Sequence, residues 1–505
     1  MEEGFKGHFA SVSDKPFFKG ETTVYTYVKM NEKDTADKIL IRINVDRLSK
    51  DKLKVVQERA ERLKEEMKYF SWALQIEKIE VGDVGEGKEL WVVCEECQPV
   101  NLKIFINHVE IRKEEKDFFL GKLLDVVRYA ELRKERMQLD DFDVLVKSGA
   151  NSFCPTIRVL PTAILLPLIK STIQDLRQDV CKQIEFFVDA EKYGKCVLDA
   201  LRTKKPILDV IKMKGVDEIY QNVQFPTFDF NKIEPIEMVG TGAYGKIIKV
   251  RYEGEIYALK ESDLSKKEEI EKEAMVLKWC DHPNIIKSHG IASATRSIST
   301  KIEKKRERPG TYLYLLLDYY EAGNINDFVE EQRKIKKHMT SEELDLFFKQ
   351  MIAPMEYLQN TKKFIHGDLK HHNFLISKKD GNTKIVLTDF GNCRSFANES
   401  QVLRGTSRDY NSAKRTPLTV NHDLYPLGVC LYRLMTHKIP YGENETEIQE
   451  AVQKKKGLFM PKRIKNDKLM DQKREVVTKM LALKENERET FNQLFKEDYV
   501  VNLLK

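Results

Sequence analysis

Residues 364–376, FIHGDLKHHNFLI, decide how the second half of this chain folds and which chemistry it can perform. One short loop carries Asp368, Lys370 and Asn373, and apolar residues flank it on both sides. Apolar segments around a polar loop predict buried elements that hold its side chains in place. The aspartate can orient a hydroxyl group, and the lysine can neutralise a phosphoryl group during its transfer. The stretch therefore indicates a phosphate-transfer loop.

Residues 239–260, VGTGAYGKIIKVRYEGEIYALK, carry three glycines followed by two strand patterns that a Glu253-Gly254 turn joins into a hairpin. A dinucleotide-binding fold needs a helix directly after such glycines. A nucleotide-dependent oxidoreductase is therefore excluded. Glycines in a hairpin can present backbone N–H groups to phosphates, and Lys260 would add a positive charge there. Taken alone, the stretch is equally typical of an ordinary hairpin with a surface lysine.

A helical pattern follows in residues 266–280, KKEEIEKEAMVLKWC. It places Glu273 and Leu277 one turn apart on the same face of the helix. A glutamate in this place can pair with Lys260 and hold the ammonium group near the phosphates.

Two later stretches supply groups for a base and a metal. The backbone at Asp318 and Tyr320, where a buried strand becomes polar, can hydrogen-bond a flat base. Residues 384–392, KIVLTDFGN, form a strand pattern that ends at Asp389. A carboxylate and an amide at loop ends offer the oxygen ligands that Mg²⁺ prefers, so Asp389 and Asn373 are candidate metal ligands.

The ordered set of these motifs resembles the eukaryotic-type protein kinase family over roughly residues 230–500. The resemblance implies an α+β, bilobal protein kinase fold, with a small antiparallel-sheet N-lobe, a mostly helical C-lobe and ATP in the cleft between them. The residues that carry it are the three glycines, Lys260, Glu273, His366-Gly367-Asp368, Lys370, Asn373, Asp389-Phe390-Gly391 and Asp423.

The same resemblance implies a role for each site residue. Catalytic roles fall to Asp368, Lys370, Lys260 and Glu273, and the metal ligands for Mg²⁺, or alternatively Mn²⁺, would be Asn373 and Asp389. ATP would contact Gly240, Thr241, Gly242, Gly245, Ile247, Ala258, Lys260, Leu317 at the gatekeeper position, Asp318, Tyr320, Asn324 and Leu375. His366, Phe390 and Leu277 would stack as an apolar column, and Asp423 would brace the catalytic loop. Lys370 and Thr406 resemble serine/threonine kinases rather than tyrosine kinases.

Two positions depart from the family pattern. Gly367 stands where kinases that are switched on by phosphorylation of the activation loop carry an arginine, which binds the loop phosphate. Lys414, in YNSAK, replaces a glutamate that normally pairs with an arginine like Arg488. The first departure removes a regulatory contact and leaves the transfer chemistry intact. The second puts the anchoring of the peptide-docking segment, and thus the choice of substrate, in doubt.

The first half of the chain resembles the second in a degenerate form. Residues 89–106 match residues 312–329 without a gap, and Ile43 takes the lysine position. Residues 137–146, MQLDDFDVLV, replace the catalytic loop without its lysine, and Thr162 stands near the position of Asp389. We therefore expect a truncated pseudokinase that binds Mg·ATP weakly or not at all. The alternative is an α+β domain whose helices and strands merely resemble those of the second half.

These patterns predict a kinase-like domain at residues 1–213, a linker at 214–232 and a kinase domain at 233–505. The basic stretch at residues 292–310 is interpreted as an exposed loop. We expect the second half to transfer phosphate to serine or threonine hydroxyls of a protein, under control of the first half through an intramolecular contact. The alternative is a catalytically inactive ATP-binding scaffold.

Composition narrows the partners and the compartment. A formal charge of +6, spread over 86 basic and 80 acidic residues, is too dilute to predict nucleic-acid binding. The apolar run at residues 159–169 is too short for a membrane span and contains two prolines. Eight scattered cysteines, with one CxxC at Cys94 and Cys97, predict a reduced cytoplasmic or nuclear protein. We see no secretory signal in the acidic, polar N-terminus.

Overall fold

The protein divides into two compact units, Met1–Gln224 and Phe225–Lys505. The computed structural model describes residues 11–12, 18–19, 23–29, 38–67, 73–84, 87–95, 113–139, 144–147, 156–169, 175–185, 195–203, 205–214, 216, 225–242, 245–303, 310–379, 381–396, 403–408, 415–441, 450, 457–465, 467–482 and 487–505.

The first unit is an α+β region of strands followed by helices. Its elements are β1 (Ser11–Val12), β2 (Phe18–Lys19), β3 (Thr23–Lys29), β4 (Lys38–Asn44), α1 (Lys50–Glu66), β5 (Ile76–Val84), β6 (Gly87–Cys94), α2 (Lys113–Arg133), β7 (Val144–Lys147), β8 (Thr156–Val159), α3 (Thr162–Ile169), α4 (Leu176–Glu185), α5 (Lys195–Leu201) and α6 (Ile207–Val210).

An antiparallel sheet in the order β1-β3-β4-β6-β5, with β2 added beside β3, forms one side of this unit. Helix α1 begins at Ser49, whose side chain accepts a hydrogen bond from the Lys52 amide at 3.3 Å. The helix buries Val56, Ala60 and Leu63, whose spacing places them on one face. The central strand β4 buries Ile39, Leu40 and Ile41 in succession, so both of its faces are covered.

The second unit begins with a short 3₁₀ turn, Phe230–Lys232, and then follows the predicted order of strands and helices. Its elements are β9 (Glu234–Gly242), β10 (Gly245–Tyr252), β11 (Glu255–Asp263), α7 (Lys267–Trp279), β12 (Ser288–Ala294), α8 (Ile298–Ile302), β13 (Tyr312–Asp318), α9 (Ile325–Lys334), α10 (Ser341–Glu356), β14 (Phe364–Ile365), β15 (Phe374–Lys379), β16 (Asn382–Leu387), β17 (Arg394–Ser395), β18 (Leu403–Arg408), β19 (Arg415–Leu418), α11 (Leu424–Thr436), α12 (Lys462–Lys465), α13 (Asp471–Met480), α14 (Phe491–Leu494) and α15 (Asp498–Leu504).

The small lobe of the second unit is an antiparallel sheet in the order β12-β13-β11-β10-β9. Strands β9 and β10 pair directly across the glycine-rich turn, and strand β11, rather than a helix, follows them. The predicted antiparallel lobe with a glycine-rich hairpin is therefore confirmed. Helix α7 packs against β11, β12 and β13, and it connects this lobe to the segment after Asp389.

The larger lobe is mostly helical, as the resemblance implies. Helix α10 starts with a capping box in which Thr340 and Glu343 satisfy each other's backbone amides. Helix α11 is buried along its whole length, and α10 and α13 pack against it. A helix that is apolar on all sides needs neighbours all around it. It therefore forms the centre of this lobe.

The residues predicted as a linker divide between the two units, and residues 225–232 pack on the small lobe. The ring of Phe230 lies 4.5 Å from that of Tyr314, and Phe228 joins the same apolar cluster. The Pro226 carbonyl accepts a hydrogen bond from the Ile291 amide on β12 at 2.8 Å. This stretch, which we call the strap, thus covers one face of the sheet. The closely spaced aromatic residues in FPTFDF are the signal that could have indicated it.

The basic stretch after β12 is also partly buried, contrary to its interpretation as an exposed loop. Ser297 and Ser299 have exposed fractions of 3% and 1%. The Glu261 carboxylate accepts hydrogen bonds from the Ile298 amide at 2.7 Å and from the Tyr314 hydroxyl at 2.9 Å. The hydroxyl groups of both serines donate to the same carboxylate. An acidic group at the start of α8 satisfies its first amides, which sequence patterns alone do not show.

Within the described ranges, no helix is both long and apolar enough to cross a membrane. Cys94 lies buried at the end of β6, whereas Cys97 lies outside the described residues.

Candidate active site

Lys260 lies at the centre of the candidate site because β11 is paired on both sides, with Ile247 and Leu315 opposite the lysine. Its ammonium group lies 2.7 Å from the Glu273 carboxylate on α7 and 3.2 Å from the Asp389 carboxylate. The side chains of Lys260 and Glu273 are only 7% and 2% exposed. The structure thus places Asp389 beside the Lys260–Glu273 pair; sequence analysis predicted the pair and, separately, Asp389 as a metal ligand.

The pKa values in this cluster follow from burial and the opposite charges. Burial alone would lower the pKa of Lys260, but the carboxylates of Glu273 and Asp389 raise it well above its usual range. Burial would likewise raise the pKa of Asp389, but the Lys260 ammonium holds it below its usual range. The lysine and Asp389 are therefore both charged at neutral pH.

The predicted catalytic loop is folded around Asp368. Lys370 Nζ lies 2.6 Å from Asp368 Oδ2, and Asn373 donates a hydrogen bond from Nδ2 to the Asp368 backbone carbonyl at 2.7 Å. A 3₁₀ turn, His371–Asn373, bends the chain so that these contacts can form. Because the asparagine nitrogen faces the backbone, its amide oxygen remains for a cation.

Asp423 fixes the loop from the start of α11. The carboxylate is completely buried and accepts hydrogen bonds from the amides of His366 at 2.6 Å and Gly367 at 3.0 Å. The His366 ring contacts the Phe390 ring edge-on at 5.0 Å, and Leu277 lies buried on α7, which packs against the turn that contains Phe390. These three side chains thus lie in the region of the predicted apolar column.

The residues predicted to contact the nucleotide line the sheet side of the cleft and the segment that leads out of it. Ala258 pairs with Leu317, and Ile247 lies opposite Lys260 on the next strand. Leu375 forms an isolated antiparallel bridge with Asn324, which brings the floor of the cleft next to the end of the connecting segment.

Several predicted nucleotide-binding residues also have structural contacts. The Asn324 side chain accepts from the Asp327 amide at 3.1 Å and thereby caps α9. The Asp318 carboxylate lies 2.6 Å from the His289 ring. Tyr320 is partly buried after β13. Any contribution of Asn324 or Asp318 to nucleotide binding must therefore be compatible with these contacts.

The glycine hairpin brings its predicted phosphate-binding residues together. Gly242 pairs with Gly245, Thr241 with Lys246 and Gly240 with Ile247. Gly245 has φ +140, and a Cβ there would lie 2.4 Å from the Glu261 carbonyl oxygen. Only glycine fits such a close approach of two backbones.

The predictions for the activation segment can be compared with the structure only where its residues are described. Lys414 falls outside them, so its position relative to Arg488 is not part of the structure. The Arg488 guanidinium lies 4.5 Å from the centre of the Tyr425 ring, and its Nε donates to the Ala482 carbonyl. Thr406 pairs with Pro417 in the backbone of the β18–β19 hairpin.

Few of the described side chains are placed to bind a metal ion at the candidate site. Among the described residues, no three His, Cys, Asp or Glu side chains come close enough together to hold a metal ion. A divalent cation at this site would therefore use Asp389, the amide oxygen of Asn373 and oxygens of its nucleotide, which is how Mg²⁺ commonly binds.

This geometry defines a class of protein: a two-lobed fold with a buried lysine–glutamate pair in the small lobe and an aspartate–lysine–asparagine loop in the large one. The chain belongs to the protein kinase family, because the sequence profile of the protein kinase domain matches residues 233–500. That match covers slightly more than half of the chain.

Curated relatives agree with this assignment. The chain is 23% identical over 289 residues to the probable serine/threonine-protein kinase nek1 of Dictyostelium discoideum, which covers 52% of this chain and 56% of the relative. It is 23% identical over 288 residues to human serine/threonine-protein kinase Nek2, with 54% and 60% covered. It is 28% identical over 238 residues to mitogen-activated protein kinase kinase kinase 7 of Drosophila melanogaster, with 45% and 32% covered. The chain thus spans less than two thirds of each relative.

Gly367 has a backbone role that its sequence position did not reveal. Its φ is +77, in the left-handed region, and a Cβ there would lie 2.7 Å from the Asn392 carbonyl oxygen. Gly381 has the same φ, but a Cβ there would meet nothing within 4 Å. We therefore expect Gly367→Ala to lower the free energy of unfolding by about 2 kcal/mol or more, and Gly381→Ala by about 1 kcal/mol, because only the first adds a clash to the strained backbone.

Urea denaturation of the full chain measures both changes. The difference between the two variants isolates the contact with Asn392. Equal losses would show that the close approach at Gly367 is relieved without cost.

Lys272 lies on α7 next to Glu273, and sequence analysis did not single it out. Burial and the nearby Arg394 guanidinium lower the pKa of its ammonium group from 10.5 to about 8. The folded protein therefore binds this proton less tightly than the unfolded chain does. Between pH 8 and 10.5 the unfolded chain carries more protons, so stability from this group rises as pH rises through that window.

We expect Lys272→Met to raise the free energy of unfolding at pH 7 by on the order of 2 kcal/mol, because methionine keeps the apolar stem and removes the charge. The gain should shrink by pH 9, where folded wild type has released the proton. Urea denaturation at both pH values measures it, with Lys266→Met, a 41% exposed lysine side chain, as control. A gain that is the same at pH 7 and pH 9 would contradict the lowered pKa.

Proposed function

We propose that the second unit is an active, ATP-dependent protein kinase that transfers the γ-phosphate to serine or threonine hydroxyls, and that the first unit regulates it in cis. The observation that carries this proposal is the position of Lys260 between Glu273 and Asp389. A lysine that contacts both carboxylates requires helix α7 and the metal-binding segment to be in place at the same time. An inactive scaffold has no need of that arrangement.

The residues of the large lobe divide the chemistry. Asp368 accepts the proton of the substrate hydroxyl, and Lys370, 2.6 Å away, keeps a positive charge beside the transferred group. Asn373 and Asp389 hold the divalent ion through oxygen atoms, with Mg²⁺ favoured and Mn²⁺ as the alternative. The ion, when bound, neutralises charge on the phosphate oxygens.

The small lobe positions the nucleotide. Lys260 holds the phosphates, and the paired backbone of Gly242 and Gly245 brings the hairpin close to them. Ala258 and Leu317 are nearly buried beside each other, where a flat apolar base would pack. The backbone that follows β13 supplies the polar edge that distinguishes the base.

A serine or threonine acceptor is supported by Lys370 in the loop and by the relatives. The Dictyostelium and human relatives are both described as serine/threonine-protein kinases. A protein rather than a small molecule as substrate is supported by the match to the protein kinase domain.

Regulation by the first unit is supported by two departures of the second unit from the family pattern. Gly367 carries no side chain that could bind a phosphorylated activation loop. Lys414 stands where the family pattern has a glutamate that pairs with an arginine like Arg488, and two cations cannot form that pair. Because both substitutions remove contacts that the family uses to control its activation segment, we assign this control to the first unit.

Transfer of radiolabelled phosphate from ATP to a generic protein acceptor tests the activity. We expect wild type to label the acceptor, and Asp368→Ala and Lys260→Met each to reduce the rate by about 100-fold or more, because each removes a group that acts in the transition state. Asp471→Ala, at an exposed aspartate paired with Arg474, is the matched control and should retain the wild-type rate. Equal labelling by wild type and Asp368→Ala would favour the scaffold.

Removal of the first unit tests the regulation. A protein of residues 225–505 keeps the strap and should therefore remain folded. We expect its turnover to differ several-fold from that of the full chain in the acceptor assay, because a regulatory contact in cis changes the population of the active arrangement. Identical kcat and KM for the two proteins would reduce the first unit to a tether.

A further inference from the structure

The strands of the first unit have the same order as those of the kinase small lobe. In the kinase unit the order along the sheet is β9-β10-β11-β13-β12, with α7 between β11 and β12. In the first unit it is β1-β3-β4-β6-β5, with α1 between β4 and β5. Helix α1 packs against α3, as α7 packs against the turn after Asp389. A shared strand order alone is weak evidence of a shared fold. Individual backbone contacts that both units make are stronger evidence.

One such contact joins each sheet to the hairpin below it. A one-residue parallel bridge connects Ile285 to Leu387 in the kinase unit and Ala73 to Val159 in the first unit. In both units the next amide along the first segment donates to the carbonyl of the strand residue at 3.0 Å. An isolated parallel bridge between two antiparallel systems is specific, because general amphipathic patterns do not produce it.

A second contact is the buried brace. In the kinase unit, Asp423 accepts from the amides of His366 and Gly367. In the first unit, Asp179 at the start of α4 is 1% exposed and accepts from the Leu139 amide at 3.1 Å. Each aspartate thus lies in the first turn of a helix and fixes the loop that precedes the lower hairpin.

A third contact, made within each unit, shows which residues of the two sheets correspond. The Asp318 amide donates to the Lys287 carbonyl at 3.1 Å, and the Glu95 amide donates to the Gln75 carbonyl at 2.9 Å. Asp318 is the last residue of β13, and Glu95 directly follows the last residue of β6. Glu95 therefore corresponds to Asp318, as the ungapped match of the two sequences predicts.

This register identifies the residue at the lysine position. Three residues before the two end points lie Leu315 and Val92, whose partners on the neighbouring strand are Lys260 and Ile41. Strand pairing thus assigns the position to Ile41, two residues before the predicted Ile43. The segment between this strand and the following helix is longer in the first unit, so Ile43 and Lys260 lie equally far from their helices but at different positions of the paired strands. Both isoleucines are completely buried, so no charge replaces the lysine.

The next strand places a tyrosine inside the cleft. Ile247 pairs with Lys260, and Tyr25 pairs with Ile41. The Tyr25 hydroxyl donates to Thr162 Oγ1 at 3.3 Å, and both side chains are buried. Counting from the parallel bridge, Thr162 follows directly on the residue that corresponds to Asp389. Tyr25 therefore reaches from the sheet across to the segment that would hold the metal in a kinase.

The side chains at the positions that would line the cleft around Tyr25 are buried. The four positions that correspond to Ile247, Ala258, Leu317 and Leu375 are Tyr25, Ile39, Cys94 and Leu145, with exposed fractions of 2%, 0%, 0% and 0%. In the kinase unit, Ile247 and Leu375 remain partly exposed, as residues that line an open cleft must be.

We infer that the first unit is a second kinase fold whose nucleotide cleft is filled by its own Tyr25 side chain, which links the two lobes through Thr162. The unit then keeps a closed arrangement without a ligand, and it presents one fixed surface whatever the nucleotide concentration. This inference concerns only the first unit and stands apart from the catalytic activity of the second.

Amide hydrogen exchange of the full-length protein, read by mass spectrometry, tests the link. Tyr25→Phe removes only the hydroxyl, and we expect exchange in residues 38–44 and 162–169 to rise several-fold, because that hydroxyl links β3, which pairs with β4, to the start of α3. Tyr27→Phe, two residues farther along β3 and paired with Ile39, is the matched control and should change neither segment. Equal exchange in the two variants would overturn the link. A rise that extends equally through α2 would also overturn it, since that shows general loss of stability.

The filled cleft is tested with adenosine at millimolar concentration, which needs neither a metal nor a phosphate site. In wild type we expect protection from exchange at residues 312–320 of the kinase unit and none at residues 23–29 or 87–94. Protection of the latter two segments in wild type would show an open cleft and overturn the inference. Catalytic failure of the second unit would appear in the phosphate-transfer assay and not in these peptides, so the two proposals fail separately.

Discussion

The architecture of the second unit depends on one ammonium group that has to reach two carboxylates. Lys260 can contact Glu273 and Asp389 together only if β11 is central, α7 packs against the sheet and the segment after β16 turns back toward the small lobe. Removing one partner of a buried ion pair leaves an uncompensated charge, whereas replacing all partners with apolar groups is often neutral or stabilising. Stability alone therefore does not explain the cluster, and its presence points to a requirement for charge in the cleft.

In the kinase fold that we infer for the first unit, Ile41 takes the lysine position and Tyr25 lies between the lobes. Asp179 nevertheless keeps its buried hydrogen bond to the loop, as Asp423 does in the kinase unit. A buried aspartate that makes this kind of contact in both units has a structural task. The comparison thus separates residues that build the fold from residues that perform the reaction.

Sequence reasoning could predict the sheet, the glycine hairpin and the charged cluster because each rests on local patterns or on chemistry that few residue types can supply. It could predict neither the strap nor the burial of Ser297 and Ser299, because these depend on partners that are distant in the chain, such as Tyr314 and Glu261. The shift from Ile43 to Ile41 has a similar cause, since strand pairing rather than helix spacing determines it. The backbone demand at Gly367 depends on Asn392, which follows the next hairpin.

The strap also determines where the folded kinase domain begins. The family match begins at residue 233, but Phe228 and Phe230 lie ahead of it and fill an apolar cluster with Ile248, Val250 and Leu316. A domain cut at the family boundary would leave that groove open to water, and exposed apolar grooves of this kind promote self-association. The eight residues of the strap therefore cover the sheet. The isolated domain depends on them to stay soluble, although the family match does not include them.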